Sequence, residues 1–525
     1  MEEKTEYYTT TTTTTTGPVV TSTTSYVTES RDSYDEKEVV LEDQNLDHVS
    51  DINRHVVTDE YDENGNLVNF VMSPVEKKLV FKLDFIYVMP YVCILNFLQF
   101  FDKSALNYAG VLGIKKTANL SPSQFSWLGS IFYLGYLLFQ GPSMILIQKL
   151  PLSKYIGSVI VIWGLVLLLT FLGHNFAQLA ALRFLLGFFE AGIYPCCIML
   201  ISSLYRRSEQ AERIGLVYIC NGVAMAVGGL IGYGIGHMHG VAGLESWQWI
   251  MIILGAITII FGVFSFFFMV DNPKAKVLRL TPEEEEVVER RMRDNAVIKN
   301  RIIKTAHIYE SLKEPRFYAI CLCGMLINFQ NGALGIFSAM ITQGFGFSDL
   351  NAILLTIPSG VTDCIYIAVA VWYNRRYGNT LYTGVVLLLI AILGLILLVV
   401  IPVPKAKLLG LYLTWAFAAS FVMLLVAIAN NVAGYTKKVF YSSSLMVFYT
   451  LGNFAGPFMM SASAPPLYVG GMIGYMVANA VTVLLFLYIR WSMVRENRKR
   501  MANPSTQEVL PDMTDVENKN FIYRV

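Results

Sequence analysis

Residues 247–273 read WQWIMIILGAITIIFGVFSFFFMVDNP, an apolar run of membrane-spanning length that stops at Asp271-Asn272-Pro273. A helix that crosses about 30 Å of hydrocarbon needs about 20 apolar residues. Such a helix ends before a proline, because the proline ring pushes the preceding residue out of the helical region. The polar stretch that begins here, residues 271–316, therefore separates one group of spans from the next.

Apolar runs of similar length lie on both sides of this polar stretch. They centre near residues 85–108, 125–148, 157–173, 178–204, 214–237, 247–270, 317–341, 351–373, 380–401, 408–430, 441–461 and 467–490. Of the 525 residues, 54% are hydrophobic and only 15% are charged. The pattern predicts an all-α membrane protein of about twelve transmembrane helices in two six-helix halves.

Composition divides the chain into five segments. Residues 1–80 contain a run of eight threonines and an acidic stretch, which predicts a disordered cytosolic tail. Residues 81–270 form the N-terminal half, and residues 271–316 form a cytosolic loop in which Thr281 is expected to begin a short helix. The second half covers residues 317–490, and residues 491–525 form a cytosolic C-terminal tail.

The orientation follows from the positive residues, because short loops rich in lysine and arginine stay in the cytosol. With the amino terminus inside, the inner loops hold Lys149, Lys154, Arg206, Arg207, Arg213, Arg375, Arg376, Lys437 and Lys438. The outer loops hold mainly Lys115, Lys116, Lys405 and Lys407. Both termini are therefore predicted to be cytoplasmic, in a multi-pass protein of the plasma membrane without a removable signal peptide.

Several classes of protein are disfavoured. The net charge of +1 and the scattered basic residues do not make a nucleic-acid footprint. The seven cysteines fall in apolar runs, so neither a disulfide nor a metal site is expected. No nucleophile-base pair or cofactor loop is recognisable, so we expect no enzyme and no cofactor. We also expect the protein to be a monomer.

Four ionisable residues inside predicted spans are the main site candidates, because each costs on the order of 3 kcal/mol to insert. Asp102 and Lys103 lie in the first span, and Arg183 and Glu190 lie on one face of the fourth, about 10 Å apart along the axis. One interpretation makes Arg183 an anion ligand and the two carboxyl groups proton carriers, since a low dielectric disfavours the charged form. The alternatives are buried packing charges on the fourth span and a Lys103 that extends to the outer interface.

Uncharged polar residues in the spans are less specific candidates. The amides Asn221, Asn328, Gln330 and Asn453 are candidates to line a wet cavity and bind substrate. Hydrogen bonds between helices explain such residues equally well. The sequence leaves both interpretations open.

Three sets of motifs carry a family resemblance. They are Arg183–Glu190 with the following AGIYP and Tyr205–Arg213, Asn431–Lys438 with Gly452–Pro457, and Asp512–Asn518 with Phe521–Tyr523. They closely resemble the anion:cation symporter family of the major facilitator superfamily, in particular its fungal allantoate permease branch. The resemblance implies the major facilitator fold, in which substrate binds near the midplane between the halves.

The resemblance also implies roles for the four ionisable residues. Asp102 and Glu190 would be protonatable, and Lys103 and Arg183 would help to bind an anion. Two departures stand out: Gln148–Lys154 lacks the aspartate of the superfamily's usual signature, and Lys103 replaces the arginine of many relatives. A lysine cannot hold a carboxylate with two parallel hydrogen bonds.

The predicted function is a secondary active transporter that imports a small organic anion by proton symport. The resemblance suggests a carboxylate nutrient such as allantoate, a vitamin acid, an amino acid or a dipeptide. A monoanion that enters alone against an inside-negative potential costs about 2.3 kcal/mol per 100 mV, which one proton cancels. A transporter-like nutrient sensor and a proton-coupled exporter remain alternatives.

The topology prediction can be tested with a reporter fused after Val525. Because the loop charges favour cytosolic termini, the fused reporter is expected to be active on the cytosolic side only. A reporter that is active only outside the cell would contradict the predicted orientation.

Overall fold

The computed structural model describes residues 11–15, 20–24, 73–205, 207–270, 275, 278–294, 304–463, 468–503 and 513–524. Most of these residues are helical. The helices are α1 (Pro74–Lys82), α2 (Met89–Val111), α3 (Ile114–Thr117), α4 (Pro122–Lys149), α5 (Leu152–Leu169), α6 (Phe176–Glu190), α7 (Ile193–Leu204), α8 (Arg207–Gly236), α9 (Ser246–Phe268), α10 (Pro282–Asp294), α11 (Thr305–Lys313), α12 (Pro315–Gly344), α13 (Asp349–Leu354), α14 (Thr356–Tyr377), α15 (Thr380–Val400), α16 (Lys407–Thr414), α17 (Ala416–Asn431), α18 (Tyr435–Ser461) and α19 (Val469–Ala502). Short 3₁₀ or π turns cover Leu83–Tyr87, Thr170–Leu172, Val241–Gly243 and Pro404–Ala406.

The N-terminal segment contains the two strands of the described chain. Strand β1 (Thr11–Thr15) pairs antiparallel with β2 (Val20–Thr24), in a stretch where β-branched threonine favours extended backbone. These strands, and α1 from Pro74, fall within the predicted disordered tail. Residues 1–10, 16–19 and 25–72 lie outside the described residues.

The spanning helices match the predicted two groups of six. Ten described helical segments are long and apolar enough to cross a membrane, and α4 and α18 have similar lengths. The fourth span is two helices, α6 and α7, because the chain turns at Ala191 and Gly192. Together these segments supply the twelve predicted spans, with α2–α9 in the first half and α12–α19 in the second.

The segment between the halves contains helices, as the sequence predicts. At the start of α10 the Thr281 hydroxyl accepts a hydrogen bond from the Glu284 N–H, and the Glu284 carboxylate accepts one from the Thr281 N–H. This reciprocal cap is the expected signal for a helix start. A second helix, α11, was not predicted.

The halves are joined where α2 and α12 end, and we call this side of the bundle the far end. Asn107 on α2 donates to the Ser338 hydroxyl of α12 at 2.8 Å and accepts from the Ala339 N–H at 3.0 Å. Next to them, the Trp127 ring of α4 packs on Phe458 of α18, with centroids 4.9 Å apart. The opposite side, where α2 begins and α19 ends, is called the terminal end.

Glycines bring the two halves close together at mid-depth. A Cβ at Gly222 of α8 would lie 2.7 Å from the Gly360 carbonyl oxygen of α14, and one at Gly360 would lie 2.4 Å from the Gly222 oxygen. The glycine-rich fifth span therefore serves close helix packing, as expected from its sequence.

The C-terminal residues 513–524 form what we call the C-terminal clasp. The Asn497 side chain of α19 binds both the C=O and the N–H of Tyr523, at 2.8 and 2.9 Å. Asn431 of α17 binds the Arg524 backbone in the same way, at 3.0 and 2.7 Å. The predicted C-terminal tail, residues 491–525, begins within a helix, because α19 continues to Ala502.

Charged side chains hold the clasp to α11, α12 and α18. The Tyr523 hydroxyl donates to Asp515 at 2.7 Å and accepts from Arg316 at 2.9 Å. The Lys437 ammonium lies 2.8 Å from both Asp515 and Glu310, and it also pairs with Glu314. The clasp thus ties together the terminal ends of helices that are far apart in sequence.

Replacing the Tyr523 hydroxyl is expected to loosen the clasp. Tyr523→Phe leaves Asp515 and Arg316 without this bond, at a cost of about 1.5–3 kcal/mol, and hydrogen exchange over residues 513–524 should accelerate. Burial and then the Asp515 carboxylate raise the pKa of Tyr523 to about 12 from its usual 10.0. The contribution of the neutral phenol should therefore persist below pH 10 and decline as the pH rises toward 12.

The control for this prediction is Tyr377→Phe at the end of α14, where the side chain is 57% exposed. This change should leave exchange in the clasp unaltered. Equal exchange rates in Tyr523→Phe and the unmodified protein would show that the hydroxyl does not hold the clasp.

Candidate functional site

The fourth span places its two charged residues in the protein interior. Asn175 caps α6 by accepting a hydrogen bond from the Gln178 N–H at 3.0 Å, and the helix ends at Glu190. Arg183 is 4% exposed and Glu190 is 0% exposed. Both charges therefore depend on other helices for partners.

Close packing of α4 against α6 sets the position of these charges. A Cβ at Gly187 would lie 1.9 Å from the Phe132 carbonyl oxygen, and one at Gly135 would lie 2.2 Å from the Phe184 oxygen. The two glycines permit this approach because neither helix presents a side chain there. As a result, the aromatic face of α4 lies beside Glu190.

The central feature of the site is an ion pair between α2 and α6. The Lys103 Nζ lies 3.0 Å from Glu190 Oε1, and the Gln99 side chain also faces this carboxylate. Glu190 is fully buried, whereas 24% of the Lys103 side chain is exposed. Lys103 is thus the member of the pair that an incoming molecule reaches.

Asp102 and Arg183 lie behind this ion pair. The charged groups that act on Asp102 are Glu190, Arg183 and Lys103, and the Trp163 indole also faces its carboxyl group. Asp102 is 0% exposed, and neither of its oxygens makes a hydrogen bond of standard geometry in the described residues. The structure therefore brings all four ionisable candidates into one cluster.

The structure changes which of the predicted residues is the better candidate for binding an anion. The alternative in which Lys103 extends to the outer interface is wrong, because its ammonium pairs with Glu190 inside the bundle. Arg183, the expected anion ligand, is almost fully buried, and its Nη2 has no hydrogen-bond partner in the described residues. Solvent reaches the lysine more readily than the arginine.

Aromatic side chains surround Lys103. Its ammonium lies 5.7 Å from the Phe132 ring centroid and 5.8 Å from that of Tyr136. The Tyr449 hydroxyl of α18 is also within electrostatic reach of the ammonium. Because α18 belongs to the second half, the site lies between the two halves.

The amides of the second half are engaged in hydrogen bonds between and within helices. Asn453 donates to Asn328 at 3.3 Å and accepts from Asn331 at 2.8 Å. Gln330 donates to the Thr414 carbonyl at 3.1 Å and accepts from Asn479 at 2.7 Å, with 0% exposure. These contacts agree with the structural alternative that the sequence left open.

Asn221 lies closer to the terminal end than the charged cluster. It accepts a hydrogen bond from Asn96 at 2.7 Å and remains partly exposed. Asn96 is six residues before Asp102 on α2, which corresponds to about 9 Å along the axis. Asn221 is therefore not part of the cluster itself.

Several neighbours of the cluster were missed from the sequence. Gln99 precedes Lys103 by four residues, so helical spacing places it on the same face and could have identified it. Trp163 and the tyrosines carry no such signal, because aromatic residues are common throughout spanning helices. Among the described residues, no group of three or more His, Cys, Asp or Glu side chains forms a metal site.

Comparison with known proteins identifies the class of this fold. A family model described as the Major Facilitator Superfamily matches residues 92–457. The chain therefore belongs to the Major Facilitator Superfamily, and the predicted fold is confirmed. It is an integral, multi-pass membrane transporter of that type.

Two relatives from Saccharomyces cerevisiae agree with the predicted branch. The Thiamine pathway transporter THI73 is 32% identical, over 87% of this chain and 88% of its own length. The Allantoate permease is 30% identical, over 85% and 86% respectively. An uncharacterized transporter of Schizosaccharomyces pombe is 32% identical, over 85% and 87%.

Solved structures support the fold alone, since their sequence identities are low. A bacterial homologue of the human lysosomal transporter Spinster, inward-facing and occupied, has a TM-score of 0.59 and 16% identity. The match covers 80% of this chain and 96% of that one. A D-xylose-proton symporter has a TM-score of 0.57 and 14% identity, over 77% and 96%.

The contact between α4 and α6 generates a testable prediction. Gly187→Ala should separate these helices, because the new Cβ meets the Phe132 carbonyl, which is backbone and cannot move alone. We expect a loss of about 1–3 kcal/mol in stability, measured by thermal unfolding in detergent.

Gly234→Ala on α8 is the control, since nothing lies within 4 Å of the Cβ it adds and no proline follows it. Its unfolding temperature should be unchanged or slightly higher, because alanine favours helix. If both variants unfold at the same temperature, the packing argument is wrong.

Proposed function

We propose that the protein imports a small organic anion by proton symport, with Lys103 as the anion ligand and Glu190 as the coupling carboxyl group. The observation that carries this proposal is the 3.0 Å ion pair in which only the lysine is exposed. A relative named Allantoate permease supports an anionic substrate. The proposed setting is the plasma membrane, with both termini in the cytosol.

Competition for one ammonium group provides the coupling. A substrate carboxylate that binds Lys103 takes the place of Glu190 in the ion pair. Glu190 would then be a buried carboxylate without its cation, which is strongly unfavourable. A proton on Glu190 removes that charge, so the anion and the proton bind together. By linkage, each tightens the other by the same factor.

Arg183 and Asp102 have supporting roles in this proposal. Arg183 acts electrostatically on both Asp102 and Glu190. When Lys103 turns to the substrate and Glu190 takes up a proton, Arg183 therefore still compensates for the charge of the Asp102 carboxylate. Asp102 supplies a second protonatable group, which would let a monoanion enter with two protons and use the membrane potential as well as the pH gradient.

The contacts at the far end indicate the side from which a substrate reaches Lys103. Asn107, Trp127 and Phe458 join the halves on that side, so access to Lys103 is expected from the terminal end. With cytosolic termini, this is the inward-facing state of an alternating-access cycle. Rocking of the halves about the mid-depth crossing of α8 and α14 would open the other side.

The coupling role of Glu190 is tested in proteoliposomes that contain a pH-sensitive dye. Glu190→Gln mimics the protonated carboxyl group and leaves Lys103 free, so exchange of labelled carboxylates should persist. The amount of labelled carboxylate that an acidic exterior drives into the vesicles should fall at least about tenfold, to the amount taken up by exchange alone. Lys103→Met should abolish exchange as well.

Asp363→Asn is the control, because Asp363 is a buried carboxyl on α14, outside the cluster. This variant should keep gradient-driven accumulation. If Glu190→Gln still concentrates substrate as the unmodified protein does, Glu190 is a packing charge. A protein that binds anions without moving them would instead favour the sensor alternative.

A further inference from the structure

The wall of the site around Lys103 is unusually rich in tyrosine. Tyr133 and Tyr136 come from α4, Tyr194 from α7, Tyr218 from α8 and Tyr449 from α18. All five side chains are partly exposed, although they lie within the bundle. They therefore line the space between the halves rather than fill the core.

Tyr449 is the member of this set that comes from the second half. Its hydroxyl is within electrostatic reach of Lys103 and of each of the four tyrosines from the first half. The Tyr194 and Tyr218 rings lie 5.8 Å apart, edge to face. On the other side, Tyr449 packs on Phe421 with centroids 5.4 Å apart, which fixes its ring.

The rings are too many to serve only the lysine. Phe132 and Tyr136 lie within 6 Å of the ammonium, the range of a cation–π contact. Tyr133, Tyr194, Tyr218 and Tyr449 make no such contact with the ammonium, so these four rings and the exposed part of Tyr136 face whatever binds beside Lys103. Flat faces with hydroxyl groups at their edges suit a planar ring that carries few polar atoms.

The charges of the site limit the substrate to one carboxylate. In the described parts of α12–α19, the Asp, Glu, Lys and Arg residues lie towards the helix ends, apart from Asp363 on α14 and Arg490 on α19. The Arg490 guanidinium does not point to the site, because it stacks on Tyr382 at the start of α15, which lies at the terminal end. The described second half thus offers no cation near Tyr449, and a second carboxylate there would be desolvated without a partner.

We propose that the substrate is a monocarboxylate with a planar, uncharged ring, held by its carboxylate at Lys103 and by its ring between Tyr136 and Tyr449. This inference rests on the proposed function and adds the class of substrate. The ring contacts favour an aromatic acid over a saturated acid of the same size. Each such contact is worth about 2- to 10-fold in affinity.

The test uses purified, full-length protein and defined probes in calorimetric binding experiments. Benzoate and 2-naphthoate carry one charge and a planar ring. Cyclohexanecarboxylate keeps the charge without the planar ring, terephthalate adds a second carboxylate, and benzamide removes the charge. At least one of the two aromatic monoacids should bind about tenfold more tightly than each of the other three probes.

Substitutions at Tyr136 and Tyr449 test whether these two rings cause the preference for aromatic over saturated acids. Tyr136→Leu and Tyr449→Leu should each reduce the ratio of aromatic to saturated affinity by about 2- to 10-fold, with little effect on cyclohexanecarboxylate. Tyr488→Leu on α19, where the side chain is 37% exposed, is the control and should leave the ratio unchanged.

The outcomes separate this inference from the proposed function. If saturated and aromatic acids bind equally, and both require Lys103, the ring inference is wrong while the anion site stands. Terephthalate binding as tightly as benzoate would overturn the single-carboxylate inference in the same way. If no probe binds, the inference also fails, and the proposed function is then decided by the proton-flux assay with Glu190→Gln.

Discussion

The Lys103–Glu190 ion pair is the interaction on which the rest of the site depends. A buried carboxylate without a cation would be strongly destabilising, so Glu190 holds Lys103 at 3.0 Å in the absence of substrate. The pair joins α2 to α6, and the glycine contact of α6 with α4 brings the aromatic wall beside it. An anion that competes for Lys103 must therefore disturb a bond between helices, and this links binding to the arrangement of the bundle.

The contacts at the far end of the bundle are weaker than those of the C-terminal clasp. The far end is closed by hydrogen bonds and ring contacts around Asn107 and Trp127, which are modest individually and can re-form elsewhere. The C-terminal clasp is denser, with Lys437 among three carboxylates and the tail backbone bound by Asn431 and Asn497. It braces the terminal ends of the second half, so that this half is suited to move as one body.

Polar side chains of the second half differ in whether they are hydrogen-bonded inside the bundle or reach the space between the halves. Asn328, Gln330 and Asn453 have polar atoms engaged in hydrogen bonds between helices and within them, which satisfies these groups inside the bundle. Tyr449 lies one turn from Asn453 on α18 but is partly exposed. Because they are four residues apart, the two side chains lie on the same side of α18, where Asn453 is hydrogen-bonded within the second half and Tyr449 reaches the space between the halves.

The sequence by itself determined the spans, the division into two halves, the cap at Thr281, the family and the four ionisable residues, because hydropathy and motif spacing are properties of the chain. The tertiary structure decided which cation is exposed, that Tyr449 lies within electrostatic reach of four tyrosines of the first half, and that residues 513–524 dock as a clasp. Hydropathy reports that a residue lies in a span but not the rotation of the helix or its neighbours. Lys103 and Glu190 are 87 positions apart, and only the packing of α2 against α6 makes them partners.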